Sequence, residues 1–205
     1  MDIFPFDILY LFDSILFRVE SICKKKVADH ITKWLKDYLE PSHAKGFVVG
    51  VSGGIDSALV STLCARTGTP TLVIEMPIHQ SSSEVQRSQA HISWLKSKFP
   101  NVTGGTVDLT EPFETFKKTV NANEINETNA YSEVAFANMR SRLRMVNLYY
   151  YASLKGYLVA GTGNKVEDFG VGFFTKYGKK REDFRNLYVF FKVTVGVGVG
   201  MTLFL

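Results

Sequence analysis

Cysteine is scarce in this chain of 205 residues, which contains only two. Cys23 and Cys64 form no CxxC pair and have no histidine partner nearby in the sequence. The pattern therefore argues against a zinc site, a disulfide framework and a thiol nucleophile. A chain that does not depend on disulfides suits a reducing compartment, and we expect a cytoplasmic protein.

The sequence also has no long uncharged apolar run. Its most apolar end, residues 1–25, is interrupted by Asp2, Asp7, Asp13 and Arg18. No uncharged stretch there reaches the roughly 18 residues of a membrane span, and the basic start of a signal peptide is missing. We interpret residues 1–25 as an amphipathic helix rather than a membrane segment. Its apolar face would cover either a partner subunit or its own domain.

Charge of one sign is not concentrated either. The formal net charge is +4, and lysines and arginines are spread along the chain, so no nucleic-acid surface is predicted. A mildly basic protein suits an anionic nucleotide as substrate. With 45% hydrophobic and 21% charged residues, the composition is that of one globular domain with a real core.

A glycine-rich segment follows the first strongly apolar run. It contains neither the GxxxxGK[ST] pattern of common nucleotide-binding loops nor GxGxxG. A strand that turns through glycines into a helix points several N–H groups at one place, which suits a phosphate. Asp56 would repel that phosphate unless a divalent cation lay between them, which implies Mg²⁺. The candidate ligands are Gly50, Val51, Ser52, Gly53, Gly54, Ile55, Asp56 and Ser57. The alternative is a plain turn with a serine cap.

Apolar periodicity predicts alternating strands and helices. The predicted strands are 47–49, 71–74, 106–109 and 157–160, and the predicted helices are 26–39, 58–66, 84–99, one opening at Glu111-Pro112, and 131–157. This alternation predicts an α/β fold with a parallel sheet flanked by helices.

Ligands of such sheets bind beyond the carboxyl ends of the strands, so residues that follow strands are candidates for the site. Residues 75–80 follow the second strand, where a base or ribose would lie, and His79 there is either a bystander or a catalyst. Thr162 and Glu167 follow the fourth strand. Thr162 offers a hydroxyl to a phosphate or an adenine, and Glu167 offers a second carboxylate for Mg²⁺ opposite Asp56.

Three arginines interrupt the long helix predicted over 131–157. Arg140 and Arg144 share a face at four-residue spacing, and Arg142 lies off it. At least one guanidinium should meet an anion, the alternative being a solvated basic face.

These motifs resemble a known family. SGGIDS resembles the pyrophosphate loop of the ATP pyrophosphatases. The ANxRxRxRM pattern of residues 137–145, GTGNKVED and GFFTKYG are similar to the NAD synthetases within that group. The resemblance covers about residues 26–178 and implies an adenine-nucleotide alpha-hydrolase-like, Rossmann-like fold. It places ATP on the SGGIDS loop and Thr162, and Mg²⁺ on Asp56 and Glu167. Deamido-NAD is placed on Arg142, Lys176 and, at the matching spacing but without the family's flanking glycines, Asp183.

The resemblance implies ATP-dependent amidation of deamido-NAD. The nicotinate carboxylate would be adenylated with release of pyrophosphate, and ammonia would then displace AMP. No covalent nucleophile is implied, and no glutaminase domain is seen, so ammonia would come from solution. Family members are homodimers with the substrate site across the interface.

The sequence departs from the family after Gly178. Residues 179–205 lack the family's glycine-rich acidic segment and its later ATP-contacting Lys and Thr, and they end in alternating Val and Gly or Thr, which predicts an exposed, aggregation-prone strand. A replaced or truncated C-terminus is the expectation. Two alternatives therefore stay open: an impaired synthetase that retains nucleotide binding or dimerisation, and an ATP pyrophosphatase acting on another carboxylate or a tRNA base.

Overall fold

The structure is a computed structural model, and it describes residues 24–121, 130–163, 193–195, 197–199 and 202–204. Helices and strands alternate as predicted from the first described helix to the helix that begins at Thr110. The helices are α1 Lys24–Leu39, α2 Ile55–Arg66, α3 Ser82–Lys98, α4 Thr110–Asn121 and α5 Ala130–Lys155. The strands are β1 Phe47–Val51, β2 Thr71–Glu75, β3 Val102–Thr106, β4 Leu158–Gly161, β5 Val193–Val195, β6 Val197–Val199 and β7 Thr202–Phe204.

The main sheet has the strand order β3-β2-β1-β4-β7. Strands β1 to β4 are parallel, with Val49 opposite Val73 on one side and Ala160 on the other. This confirms the predicted parallel α/β fold. The fifth strand, β7, pairs antiparallel with β4, and β5 pairs antiparallel with β6 in a separate two-stranded sheet. The tail beyond residue 178 thus contributes strand structure where it is described.

Each face of the sheet carries its own apolar core. Phe47, Val49 and Val51 point to the face covered by α1, α2 and α3, where Leu35 is completely buried. Val48 points to the opposite face, which α4 and α5 cover. Because both faces are buried, β1 reads as a continuous apolar run rather than an alternating one.

The third strand was predicted in the wrong place. It covers Val102–Thr106 rather than residues 106–109, despite two glycines in its middle. A Cβ on Gly104 would lie 1.9 Å from the carbonyl oxygen of Val73, so this close pairing requires glycine. The more β-prone residues 107–109 lie beyond the end of β3, although the Val107 and Leu109 N–H groups still donate to the Glu75 and Pro77 carbonyls at 2.8 and 3.0 Å. Asp108 accepts a hydrogen bond from the Thr110 N–H at 2.8 Å, where α4 begins.

Several predictions fall on residues that the structure does not describe. The N-terminal helix, up to residue 23, is one, and Glu167, Lys176 and Asp183 are others. Among the helices that are described, none has the length and apolar character needed to cross a membrane.

Candidate active site

The glycine-rich segment forms a three-residue connection between β1 and α2. Gly53 adopts a left-handed backbone conformation with φ of 80°. A Cβ on Gly53 would lie 2.7 Å from the Glu84 carbonyl oxygen, so the loop packs directly against the start of α3. Gly54 is the N-cap of α2 and provides no side-chain cap. The first N–H groups of α2 therefore lack a capping side chain and face the end of the sheet, an arrangement that suits an anion.

Ser57 organises this loop from inside. Its buried hydroxyl donates to the Gly54 carbonyl at 2.9 Å and accepts from the Ser52 N–H at 3.1 Å. The exposed Ser52 Oγ accepts from the Gly54 N–H at 3.3 Å. The two serines were predicted as direct phosphate ligands. In the structure Ser57 holds the loop's shape, and the Ser52 hydroxyl is exposed at the sheet's edge.

Asp56 lies in the first turn of α2 and is half-buried. No group of three or more histidine, cysteine, aspartate or glutamate side chains arranged for a metal occurs among the residues with described placement. The second predicted carboxylate, Glu167, lies outside that set, so the metal pair stays a prediction. Because Mg²⁺ commonly takes one or two carboxylates plus substrate phosphates, Asp56 beside an anion loop fits such an ion.

Thr162 reaches the same edge of the sheet. Ala160 of β4 lies opposite Val49 of β1, so Thr162 follows β4 beside the point where the loop leaves β1. This juxtaposition comes directly from the parallel register.

The three arginines of α5 have different surroundings. Arg142 is exposed. The Arg140 guanidinium lies over the Phe113 ring, with 5.6 Å between Cζ and the ring centroid. The Arg144 Nε donates to the Met76 carbonyl at 3.0 Å, at the exit of β2. Burial, and then the charge of Arg140, lower the pKa of Arg144, whereas Glu84 opposes the shift. The shared face of Arg140 and Arg144 thus packs against α4 and the exit of β2.

Glu75 was missed as a buried carboxylate. It is the last residue of β2 and is only 3% exposed. Its carboxylate accepts hydrogen bonds from Ser88, from Gln89 at 3.2 Å and from Thr106 at 2.7 Å. A charged residue that ends an otherwise apolar buried strand needs such donors, and that was the available signal.

His79 lies on the rim of this region. It has a left-handed φ of 54°, and its Nε2 is 2.7 Å from Glu114 Oε1. The hydrogen bond from His79 is the main cause of the lowered pKa of Glu114. This hydrogen bond holds His79 at the surface beside α4, and its choice between bystander and catalyst stays a prediction.

Comparison with known proteins identifies the family. Residues 27–197 match the family model of NAD synthase. The chain belongs to the NAD synthase family. The NH(3)-dependent NAD(+) synthetase of Finegoldia magna is 34% identical over 171 residues, covering 83% of this chain and 66% of that protein. The Malacoplasma penetrans NH(3)-dependent NAD(+) synthetase is 36% identical over 160 residues, or 78% of this chain and 60% of the relative.

Solved NAD synthase structures share the fold. An NMN synthetase from Francisella tularensis superposes with a TM-score of 0.68 at 31% identity, over 77% of this chain and 61% of the other. An NH3-dependent NAD synthetase from Campylobacter jejuni in complex with nitrate superposes with a TM-score of 0.64 at 30% identity, over 75% of this chain and 62% of the other. The family assigned from the sequence motifs is therefore confirmed. The chain spans about three fifths to two thirds of the length of these relatives.

Proposed function

We propose that the protein amidates deamido-NAD with ammonia at the expense of ATP, yielding NAD, AMP and pyrophosphate. The observation that carries this proposal is the β1–α2 loop, where Gly53 packs on α3 and the uncapped start of α2 faces the carboxyl edge of the sheet. The family supplies the substrate class, because the curated relatives are named NH(3)-dependent NAD(+) synthetases.

In the first step, a nicotinate carboxylate oxygen attacks the α-phosphorus of ATP, and the bond to the pyrophosphate oxygen breaks. Loop N–H groups and the Ser52 hydroxyl hold the polyphosphate, and Thr162 contacts the nucleotide from β4. Ammonia from solution then attacks the acyl carbon. AMP leaves with one former carboxylate oxygen, and the nitrogen loses a proton to give the amide.

Asp56 and Glu167 are the proposed carboxylates for Mg²⁺. When bound, this ion would neutralise charge that builds on the phosphate oxygens. Arg142, Lys176 and Asp183 are the proposed contacts for deamido-NAD. No side chain is assigned as a covalent nucleophile, so positioning and electrostatics carry the rate.

A homodimer in the cytoplasm is part of the proposal. Val146, Tyr150 and Leu154 are 59%, 61% and 65% exposed and follow each other at four-residue spacing on α5. This apolar stripe lies on the same helix as Arg142, and a second copy packed on it would bring a partner surface close to that arginine.

The assay for this function contains purified protein, ATP, Mg²⁺, ammonium and deamido-NAD, and it follows AMP and NAD. Formation of both in equal amounts supports the proposal. ATP binding without turnover would instead support an impaired synthetase. AMP formation with a different acceptor only, for example nicotinate mononucleotide, would redefine the substrate.

Replacing Asp56 by Asn tests the metal assignment. The change keeps the size of the side chain but removes the charge, and we expect turnover to fall about a hundredfold or more because one carboxylate would be lost from the ion. Asp29→Asn on α1, whose carboxylate pairs with Arg66 away from the loop, is the control and should keep activity. Full activity of Asp56→Asn would remove Asp56 from the metal site.

A further inference from the structure

Two arginines approach the loop from opposite faces of the sheet. Arg87 belongs to α3, which packs with α1 and α2, and its Nε donates to the Gly53 carbonyl at 3.4 Å. Arg144 belongs to α5 on the other face, and its Nε donates to the Met76 carbonyl at 3.0 Å. Both guanidiniums are thus attached to backbone at strand exits, one after β1 and one after β2.

The packing of α5 fixes the height of Arg144 above the sheet. A Cβ on Gly50, near the end of β1, would lie 3.4 Å from Leu148 Cδ1. Because α5 leads into β4, which is parallel to β1, the helix runs opposite to the strands. Arg144 lies one turn before Leu148 and therefore extends beyond the end of β1, level with the loop.

Neither guanidinium is neutralised by a direct ion pair within the described ranges. Both arginines act electrostatically on the Glu84 carboxylate and lower its pKa, after the larger effect of its hydrogen bonds with Ser81. It is held by the capping box of α3, where its Oε2 accepts from the Ser81 N–H at 3.2 Å and from Ser81 Oγ at 2.9 Å. In this part of the chain, each arginine uses Nε for a carbonyl, which leaves its terminal N–H groups for another acceptor.

We propose that Arg87 and Arg144 form an arginine clamp that binds the β- and γ-phosphates of ATP and holds the pyrophosphate leaving group. This inference rests on the proposed function, because it assumes ATP at the loop. The loop carries no lysine, and a guanidinium fork matches phosphate oxygens with two parallel hydrogen bonds. Arginines from α3 and α5 would close on the polyphosphate from either side while the loop N–H groups hold it from below.

The test is calorimetric titration of the protein with magnesium pyrophosphate and, separately, with AMP. Arg87→Gln and Arg144→Gln remove the charge but keep a donor for the carbonyls of Gly53 and Met76, which protects the fold. We expect each variant to bind pyrophosphate about ten- to a hundredfold more weakly, since hydrogen bonds to charged groups are lost. AMP lacks the β- and γ-phosphates, so its affinity should not change.

Arg66→Gln is the matched control, because Arg66 pairs with Asp29 at the far end of α2. It should bind both ligands as the unchanged protein does. Arg144→Lys should recover part of the lost pyrophosphate affinity. Pyrophosphate affinity that is unchanged in Arg87→Gln and Arg144→Gln, or an equal loss of AMP affinity, would overturn the clamp.

NAD formation by the unchanged protein tests the proposed function independently of the clamp. If NAD forms but the pyrophosphate affinity is unchanged in Arg87→Gln and Arg144→Gln, the clamp is wrong and the proposed function is retained. If pyrophosphate binding depends on both arginines but no NAD forms, the clamp stands and the proposed reaction fails.

Discussion

Gly53 and Gly68 have almost the same left-handed backbone, with φ of 80° and 77°, but very different surroundings. A Cβ on Gly53 would meet the Glu84 carbonyl oxygen at 2.7 Å, whereas a Cβ on Gly68 would meet nothing within 4 Å. The first glycine is needed for its conformation and for close contact with α3. The second is needed for conformation alone.

Alanine substitution separates these two requirements. Gly68→Ala should lower the free energy of unfolding by about 1 kcal/mol, the cost of a left-handed conformation for an L-residue. Gly53→Ala should cost about 2 kcal/mol or more because the loop must also move away from α3. Urea unfolding gives the free energies. Only Gly53→Ala should weaken ATP binding in a titration, and equal ATP affinity in both variants would contradict the close-packing argument.

At the scale of single residues, some features of the candidate site could be predicted from the sequence and others could not. Two adjacent glycines and Asp56 after an apolar run were enough to locate the loop between β1 and α2, because a tight strand-to-helix turn favours that pattern. The hydrogen bonds by which Ser57 holds the loop, and the contact of Arg144 with Met76, could not be predicted from the sequence. The Ser57 hydroxyl bonds to Gly54, three residues away, in a way that only the actual loop conformation shows. Arg144 and Met76 are 68 residues apart, and only the packed fold brings them together.

At the scale of elements, α2 and α3 are joined through His91. Its Nε2 lies 2.9 Å from the Ser61 hydroxyl, and its ring stacks on Trp94 with 5.7 Å between centroids. Burial lowers the pKa of His91. Burial therefore favours the neutral imidazole, and the hydrogen bond with Ser61 connects the helix that follows the loop to the helix that packs against it.

This shift predicts a pH dependence of stability. The unfolded chain protonates His91 near its ordinary pKa of about 6.5, whereas the folded protein does so only at lower pH. The free energy of unfolding should therefore decrease as the pH falls below about 6.5 and level off below the folded pKa. His91→Gln, which keeps a donor for Ser61, should lack this component. A difference between the two proteins that stays constant from pH 7.5 to pH 5 would contradict it.

Most helices and strands of the parallel sheet were predictable from the sequence, and the third strand was the exception. The apolar period located α3, and the structure adds a capping box of Ser81 and Glu84 at its start. The third strand was predicted a few residues too late in the sequence because Val102–Thr106 has poor β-propensity. In the structure, this segment nevertheless pairs with β2 in register from Thr71 to Glu75. Tertiary pairing overrides local propensity there.

For the whole molecule, the apolar stripe on α5 predicts self-association. Tyr150→Glu places a charge in the centre of Val146, Tyr150 and Leu154, and it should convert a dimer to a monomer in sedimentation measurements. Trp94→Glu is the control, because Trp94 is 44% exposed on α3 across the sheet. A monomeric unchanged protein, or a dimer that Tyr150→Glu leaves intact, would contradict the homodimer.

The proposed reaction depends on activation of the nicotinate carboxylate by adenylation. The most direct measurement uses deamido-NAD with ¹⁸O in both carboxylate oxygens, with mass spectrometry of the products. If a carboxylate oxygen attacks the α-phosphorus, one label must leave in AMP and the other must remain in the amide of NAD. AMP without ¹⁸O, formed together with NAD, would contradict the account.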